Sequence, residues 1–261
     1  MQLPESTTAP PADAPTSAAP PPRKLPAADG IGWWSESWRI FCAAPGTWLG
    51  IFVLFIVISV ALVLVPVVGS LIHTVLTPVF AGGAMLGCHA LARGEPLRVG
   101  HLFEGFQHGR LAPLCILGLI WLALLFVMAI VMVATIFLAL GATGLAAIMD
   151  FGSAGLDYSD LASAGVPIVV VALMALGLTL LAAMAYWFAP ALVVLNGEGP
   201  VAALQKSFAA SLHNVGAFLL YGIVYLGLAI VASIPFGLGW LVLGPMIAGS
   251  CYAGWRTIFS R

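Results

Sequence analysis

Charged side chains are nearly missing from this chain. They make up 7% of its 261 residues, against about 25% in an ordinary soluble domain. A surface so poor in charge cannot be wetted on all sides, which excludes a water-soluble globule. The net charge is −1, so there is no basic field to hold nucleic acid. Catalytic signatures are missing too. No GxxxxGK[ST] phosphate loop, GxSxG elbow, GxGxxG turn after a strand, HExxH pair or close cysteine pair occurs. No Asp, Glu, Lys or Arg sits at the middle of an apolar run, and ion-coupled transport relies on such groups. No stretch outside the apolar runs is long enough to fold as a soluble catalytic domain. Together these absences argue against an enzyme, and no cofactor is expected.

What is present is long apolar sequence, with 62% of residues hydrophobic. Runs of 18 or more such residues mark membrane-crossing helices. Six are predicted, over residues 47–68, 71–91, 111–140, 166–195, 215–234 and 238–255. The last is slightly short for ~30 Å of hydrocarbon, and the third and fourth are long enough to tilt or project. The predicted fold is an all-α polytopic bundle, a six-helix domain over 33–261. Residues 1–32 hold eight prolines and almost no bulky apolar residue, so they read as a disordered, solvated tail or, second, as a polyproline ligand for a partner. The tail has no apolar core of a signal peptide, so the first span is expected to act as its own uncleaved insertion signal.

The few basic residues give orientation. Arg23, Lys24 and Arg39 precede the first span; Arg93, Arg98 and Arg110 lie between the second and third; Lys206 lies between the fourth and fifth; Arg256 and Arg261 close the chain. With six spans all nine fall on one side, which the positive-inside rule makes cytoplasmic, with both termini. The loop bearing Asp150, Asp157 and Asp160 falls on the other side. Trp33, Trp34, Trp38, Trp48 and Trp255 are expected at the lipid–water interface. Segments 38–44, 99–109 and 201–214 are expected to lie along the inner surface as amphipathic helices. Cys42, Cys88, Cys115 and Cys251 all fall in or near the cytoplasmic half, so no disulfide is expected.

An internal repeat also shows. Shifted by 167 residues, 38–91 lies over 205–258, matching Arg39 with Lys206, Phe41 with Phe208, Pro78 with Pro245, Gly82 with Gly249 and Gly87 with Gly254. The unit is a short amphipathic helix followed by a spanning hairpin whose second helix carries a proline. Both copies start on the same side, so the repeat is parallel. A third copy between them would use Pro190. Gly83 and Gly87 form a GxxxG pair, with Ser250 and Gly254 in the matching places, which suits close helix packing. The prolines read as packing kinks or as hinges around a cavity.

Two groups of candidate chemical residues remain. His101, Glu104 and His108, spaced i, i+3, i+7, would share one face of a helix and could hold a metal, although a solvated interfacial segment is the simpler explanation, since no HExxH or cysteine pair supports a metal. His73 is the one ionisable residue plainly within a span; it reads as a neutral ring bonded to a neighbouring carbonyl, or as a functional group.

The stretches GWWSESWRIFCAAPGTWLG, PVFAGGAMLGCHALARGEPLRVGHLFEGF, YWFAPALVVL, LQKSFAASLHNVGAFLLYG and IPFGLGWLVLGPMIAGSCYAGWRTIF together resemble an uncharacterised family of proteobacterial inner-membrane proteins. The hairpins are more distantly similar to the membrane domain attached to some glycerophosphodiester phosphodiesterases, whose catalytic barrel has no counterpart here. The resemblance implies a multi-pass protein of the bacterial inner membrane and carries no activity or functional residue. The leading expectation is a non-enzymatic module that binds membrane lipids, a protein partner or a second copy of itself. Its rivals are a transporter or channel component around His73 and a metal-dependent membrane enzyme at His101.

Overall fold

A computed structural model describes residues 19–149 and 158–260, with only the backbone described for 138–149 and 158–168. The expected acidic loop therefore lies outside the described residues at Asp150 and Asp157, as do residues 1–18 and Arg261. Among the described residues the chain is wholly helical. The order is α1 (Asp29–Ala43), α2 (Pro45–Val63), α3 (Val68–Ala92), a 3-10 helix (Val99–Phe106), α4 (Leu111–Met149), α5 (Tyr158–Tyr186), α6 (Ala189–Asn196), α7 (Pro200–His213), α8 (Val215–Ser233) and α9 (Trp240–Phe259).

Among the described residues five segments are long and apolar enough to cross a membrane: Pro45–Val63, Val68–Ala92, Leu111–Phe137, Val169–Asn196 and Val215–Ser233. The sixth expected span forms as α9, 20 residues long, but it is less apolar. Glycine, Ser250 and Arg256 dilute it, and its C-terminal two-thirds is largely buried against protein rather than lipid. At 1.5 Å per residue, α4 runs about 58 Å, well beyond the ~30 Å of a hydrocarbon core.

The molecule has two unlike ends. At one, here the base, lie α1, the 3-10 helix, α7 and the lower halves of the long helices. Most buried residues are there. At the other end the long helices expose Leu64, Val67, Leu173, Leu226, Ile234 and Phe236. Apolar side chains so exposed over whole helix turns require lipid around them. The base is tied by a ring of contacts. α1 packs on α8 and α9, the 3-10 helix on α3, and α7 on α5 and α6; α3 sits at the centre against α4, α6 and α9.

α1 shows how sequence sets this packing. Gly30, Trp33, Trp34, Ser37, Ile40 and Phe41 recur at helical spacing and are all buried. The Trp34 ring stacks on Tyr221 at 4.7 Å and 11°. The Ser37 hydroxyl donates to the Met246 carbonyl of α9, and the Gly30 backbone lies directly on that of Ala217. Two expectations are corrected here. Trp33, Trp34, Trp48 and Trp255 are buried in the protein; of the five interfacial tryptophans expected, only Trp38 is exposed, at 52%. Aromatic neighbours surround Trp33, Trp34 and Trp255, out of reach of any local sequence pattern, and the Trp48 indole N–H donates to the Ile40 carbonyl. And α1 begins at Asp29, nine residues before the segment expected at 38–44.

The tail expected over 1–32 is likewise docked from Ala19 onward. Arg23 N–H donates to the Ile258 carbonyl. Asn214 is its anchor, accepting from Leu25 N–H at 2.7 Å and donating to the Arg23 carbonyl at 3.0 Å. The Glu198 carboxylate accepts from Ala19 N–H at 2.7 Å while paired with Lys206. Proline-rich chain lacks side chains that bury well, but its backbone groups still hydrogen-bond, and polar side chains on and beside α7 receive them.

Candidate functional site

The fourth span, expected to run unbroken over 166–195 around Pro190, breaks at Trp187–Phe188, and Pro190 falls in the first turn of α6. Proline has no N–H and its ring clashes with the preceding turn. The broken ladder is bridged by a neighbouring helix. The Ser207 hydroxyl accepts the Phe188 N–H at 3.0 Å and donates to the Met184 carbonyl at 2.9 Å. It stands where a direct backbone bond would be. Ser211 donates to the same carbonyl at 3.1 Å, and the Cys251 thiol donates to the Trp187 carbonyl at 3.1 Å. Both serines are fully buried. Pro78 and Pro245, by contrast, lie inside α3 and α9 as expected.

The three prolines converge on one chamber of about 450 Å³, within the usual size range of ligand pockets. α2 contributes Trp48, Ile51, Phe52 and Phe55. α3 contributes Thr77, Pro78, Phe80 and Met85. Trp121 of α4 and Tyr186 and Trp187 at the end of α5 form one wall, and Pro190, Pro245, Ile247 and Cys251 another. Among the described residues no charged side chain lines it. Its polar groups are few and mostly satisfied. Thr77 donates to the His73 carbonyl at 2.8 Å, and Cys251 is used at the helix break. The exception is Tyr186. Its ring lies 4.7 Å from that of Trp121, and its hydroxyl is buried without a hydrogen-bond partner among the described residues.

The expected packing glycines lie on α3 and α9, outside the chamber lining. A side chain on Gly83 would lie 2.5 Å from the carbonyl oxygens of His101 and Leu102, so the 3-10 helix rests on bare backbone. Gly82 faces Val194 and Leu114, and Gly87 faces Leu97 and His101. Gly249 takes Ser37 of α1, and Gly254 takes Phe188 and Trp33. The glycines thus receive different partners in turn, not a matching glycine helix.

The His101 group is not assembled as expected. The segment is a 3-10 helix that ends at Phe106, and His108 lies beyond it with φ +56°. The i, i+7 relation holds only on a continuous α-helix, so His108 leaves the face of the other two. His101 accepts the Arg98 N–H on Nδ1 at 2.9 Å and turns Nε2 to Glu104 Oε1 at 3.6 Å. Among the described residues no group of three His, Cys, Asp or Glu side chains could hold a metal. His73 bonds the Ser59 hydroxyl at 3.1 Å, a side chain in place of the expected carbonyl. It is not part of the chamber lining. Sequence reasoning missed Tyr186, Trp121, Ser207 and Ser211. Only the serine pair left a signal, two small polar residues four apart on an otherwise apolar helix face.

No family model matches the chain, and no solved structure matches it. The chain is similar to a probable inner membrane protein of Burkholderia thailandensis, 29% identical over 231 residues, 88% of this chain and 83% of the relative. None of these comparisons shows the expected likeness to a phosphodiesterase membrane domain. The likeness to the Burkholderia protein, together with the apolar helices, makes this a multi-pass protein of the inner membrane.

Proposed function

We propose that the chain is a six-span, non-enzymatic inner-membrane module that binds lipid hydrocarbon in the chamber between its hairpins. The observation that carries this reading is the uncharged chamber on which Pro78, Pro190 and Pro245 converge. α9 serves as the sixth span, paired with α8. Both termini and all nine basic residues then lie on the cytoplasmic side, that of the base.

In this reading the chain is three parallel copies of one unit. Each is a short helix followed by two long ones: α1–α2–α3, the 3-10 helix with α4 and α5–α6, and α7–α8–α9. The packing supports it, because each short helix lies on the second long helix of another unit. The 3-10 helix of the middle unit lies on α3, α7 of the last lies on α5, and α1 of the first lies on α9, closing the ring. Such an exchange puts the three proline-bearing helices at the centre and leaves space where their kinks diverge.

The test is native mass spectrometry of the protein released gently from membranes. The expected result is one lipid-derived adduct at fixed stoichiometry. It should be lost from an Ala248→Phe variant, which adds a ring to the chamber wall. A spectrum without adduct, the same for both proteins, overturns the reading. The transporter reading loses its proposed centre, since His73 lies outside the lining.

A further inference from the structure

The strap ahead of α1 forms neither helix nor strand over residues 19–26, yet side chains of the base meet its backbone at two places. Ala19 is held at one end. The Glu198 carboxylate accepts its N–H at 2.7 Å, and the Lys206 ammonium donates to its carbonyl at 3.1 Å while paired with Glu198. Asn214 holds the other end, through the Arg23 carbonyl and the Leu25 N–H, and the Ile258 carbonyl of α9 accepts the Arg23 N–H at 3.3 Å. Between the two holds lie Pro20, Pro21 and Pro22, which have no N–H to satisfy. Arg23 and Lys24 are exposed, whereas Ala19 is buried and Leu25 packs on the core. The seat thus reads main chain and small apolar groups, not charge. It is built into the fold: Asn214 is 2% exposed and tied to the Ala210 carbonyl at 2.9 Å, and the Glu198 side chain is 8% exposed. Buried polar groups of this kind take partners, and here the strap supplies them.

The residues that hold the strap adjoin those that hold the helix break. Lys206 is followed by Ser207, whose hydroxyl bridges Phe188 N–H and the Met184 carbonyl. Asn214 ends α7 just past Ser211, which donates to that same carbonyl. Ile258 is followed by Phe259, whose ring packs edge-on against Phe188 at 5.8 Å. Two separate routes, one along α7 and one along the end of α9, therefore lead from the strap to Phe188. Coupling between sites is carried by bonded and packed neighbours of this kind.

We infer that the face formed by α7 and the end of α9 is a binding site for an extended proline-rich peptide, that residues 19–25 of this chain are its resident ligand, and that filling it keeps the Trp187–Phe188 break ordered. Trp187 lines the chamber, so the strap is also a regulator of what the chamber holds. That last consequence alone rests on the lipid-binding reading above.

The test uses the full chain in lipid nanodiscs, carrying Ala19→Pro and Leu25→Pro together. The pair removes the two strap N–H groups that Glu198 and Asn214 accept and changes no residue of the helices. Hydrogen exchange is read residue by residue. The Arg23 and Phe188 amides are both expected to exchange about 5-fold faster or more, the lower end of ordinary coupling between sites. An acetylated peptide of residues 19–28, which keeps an amide N–H at Ala19, is then added in trans. At roughly millimolar concentration, comparable to that of a tethered segment, it should restore slow exchange at Phe188, and the same peptide with Leu25→Pro should not. Fast exchange at Arg23 with Phe188 unchanged overturns the link to the break. Arg23 unchanged means that these bonds do not hold the strap, and overturns the site. A peptide without effect on fast Phe188 exchange overturns recognition of the segment as a ligand. Native mass spectrometry is read separately. Loss of the lipid adduct in the variant, restored by the peptide, supports regulation of the chamber, and an unchanged adduct overturns it. Absence of any adduct from the wild type removes the lipid-binding reading and leaves the exchange result standing.

Discussion

Ser207 and Gly83 decide whether backbone at the centre of this bundle is satisfied or crowded. In Ser207→Ala the Phe188 N–H loses its acceptor, while the Met184 carbonyl keeps Ser211. One buried donor left unmet costs about 1–3 kcal/mol. Ser211→Ala should cost less, because Ser207 still serves both groups. Thermal unfolding in detergent is expected to order the proteins wild type, Ser211→Ala, Ser207→Ala; equal melting of the two variants would mean that Ser207 does not bridge the break. Gly83→Ala tests the opposite fault. Its methyl group would meet two backbone oxygens at 2.5 Å, and neither can rotate away. Overpacking of this kind costs about 1–3 kcal/mol. Gly222, with nothing within 4 Å of an added Cβ, is the control, and Gly222→Ala should melt like wild type or slightly higher. These two residues differ in how visible they are in the sequence. Gly83 announces itself through a GxxxG spacing, although the spacing names the wrong partner. Ser207 shows only as one of two small polar residues four apart on an apolar helix face, and its role is created by a proline 17 positions earlier on another helix.

At the scale of elements, the long helices are legible because hydrocarbon imposes a minimum length and excludes charge, two constraints that act on each run separately. Residues 71–91 and 215–234 foretell α3 and α8 to within three residues, and 47–68 overshoots the end of α2 by five. The short elements are harder to read. α1 looks interfacial from its tryptophans, yet Trp33 and Trp34 are in the core, since burial depends on what α8 and α9 bring to them. The 3-10 helix defeats the i, i+7 argument at His108 by winding more tightly and stopping early. The strap from Ala19 to Ala28 has no periodicity to read; it is held by its backbone bonds to the side chain of Asn214, a residue 2% exposed. Asn214→Ala removes the acceptor for Leu25 N–H and the donor to the Arg23 carbonyl together. Hydrogen exchange at Leu25 should then rise by one to two orders of magnitude, corresponding to about 1.4–2.8 kcal/mol of local opening, while exchange within α3 stays as in wild type. Exchange rising equally in both would mean that Asn214 supports the bundle and not the strap alone.

For the molecule as a whole, the ends differ in charge as well as in packing. Arg39 and Arg256 converge on Glu36 at the base, with Arg93 paired to Glu95 nearby. The far end presents Ile234, Pro235 and Phe236 at the α8–α9 turn, with Phe236 fully exposed. A protein with this polarity inserts one way, because basic loops resist translocation and the apolar turn does not. Cys42 is exposed in α1 at the base, so it reports on one side without any change to the chain. Phe236→Cys, in a protein that also carries Cys42→Ser, reports on the other. In intact spheroplasts a membrane-impermeant maleimide should label the Phe236→Cys protein and leave wild-type Cys42 unreacted; after permeabilisation Cys42 should label at a comparable rate. The reverse pattern would put the basic residues outside and refute the orientation. Five crossings separate position 42 from position 236 in the six-span arrangement, and an odd number places the two on opposite sides. Labelling of both in sealed spheroplasts would mean an even number of crossings between them, and the six-span count would then have to be abandoned.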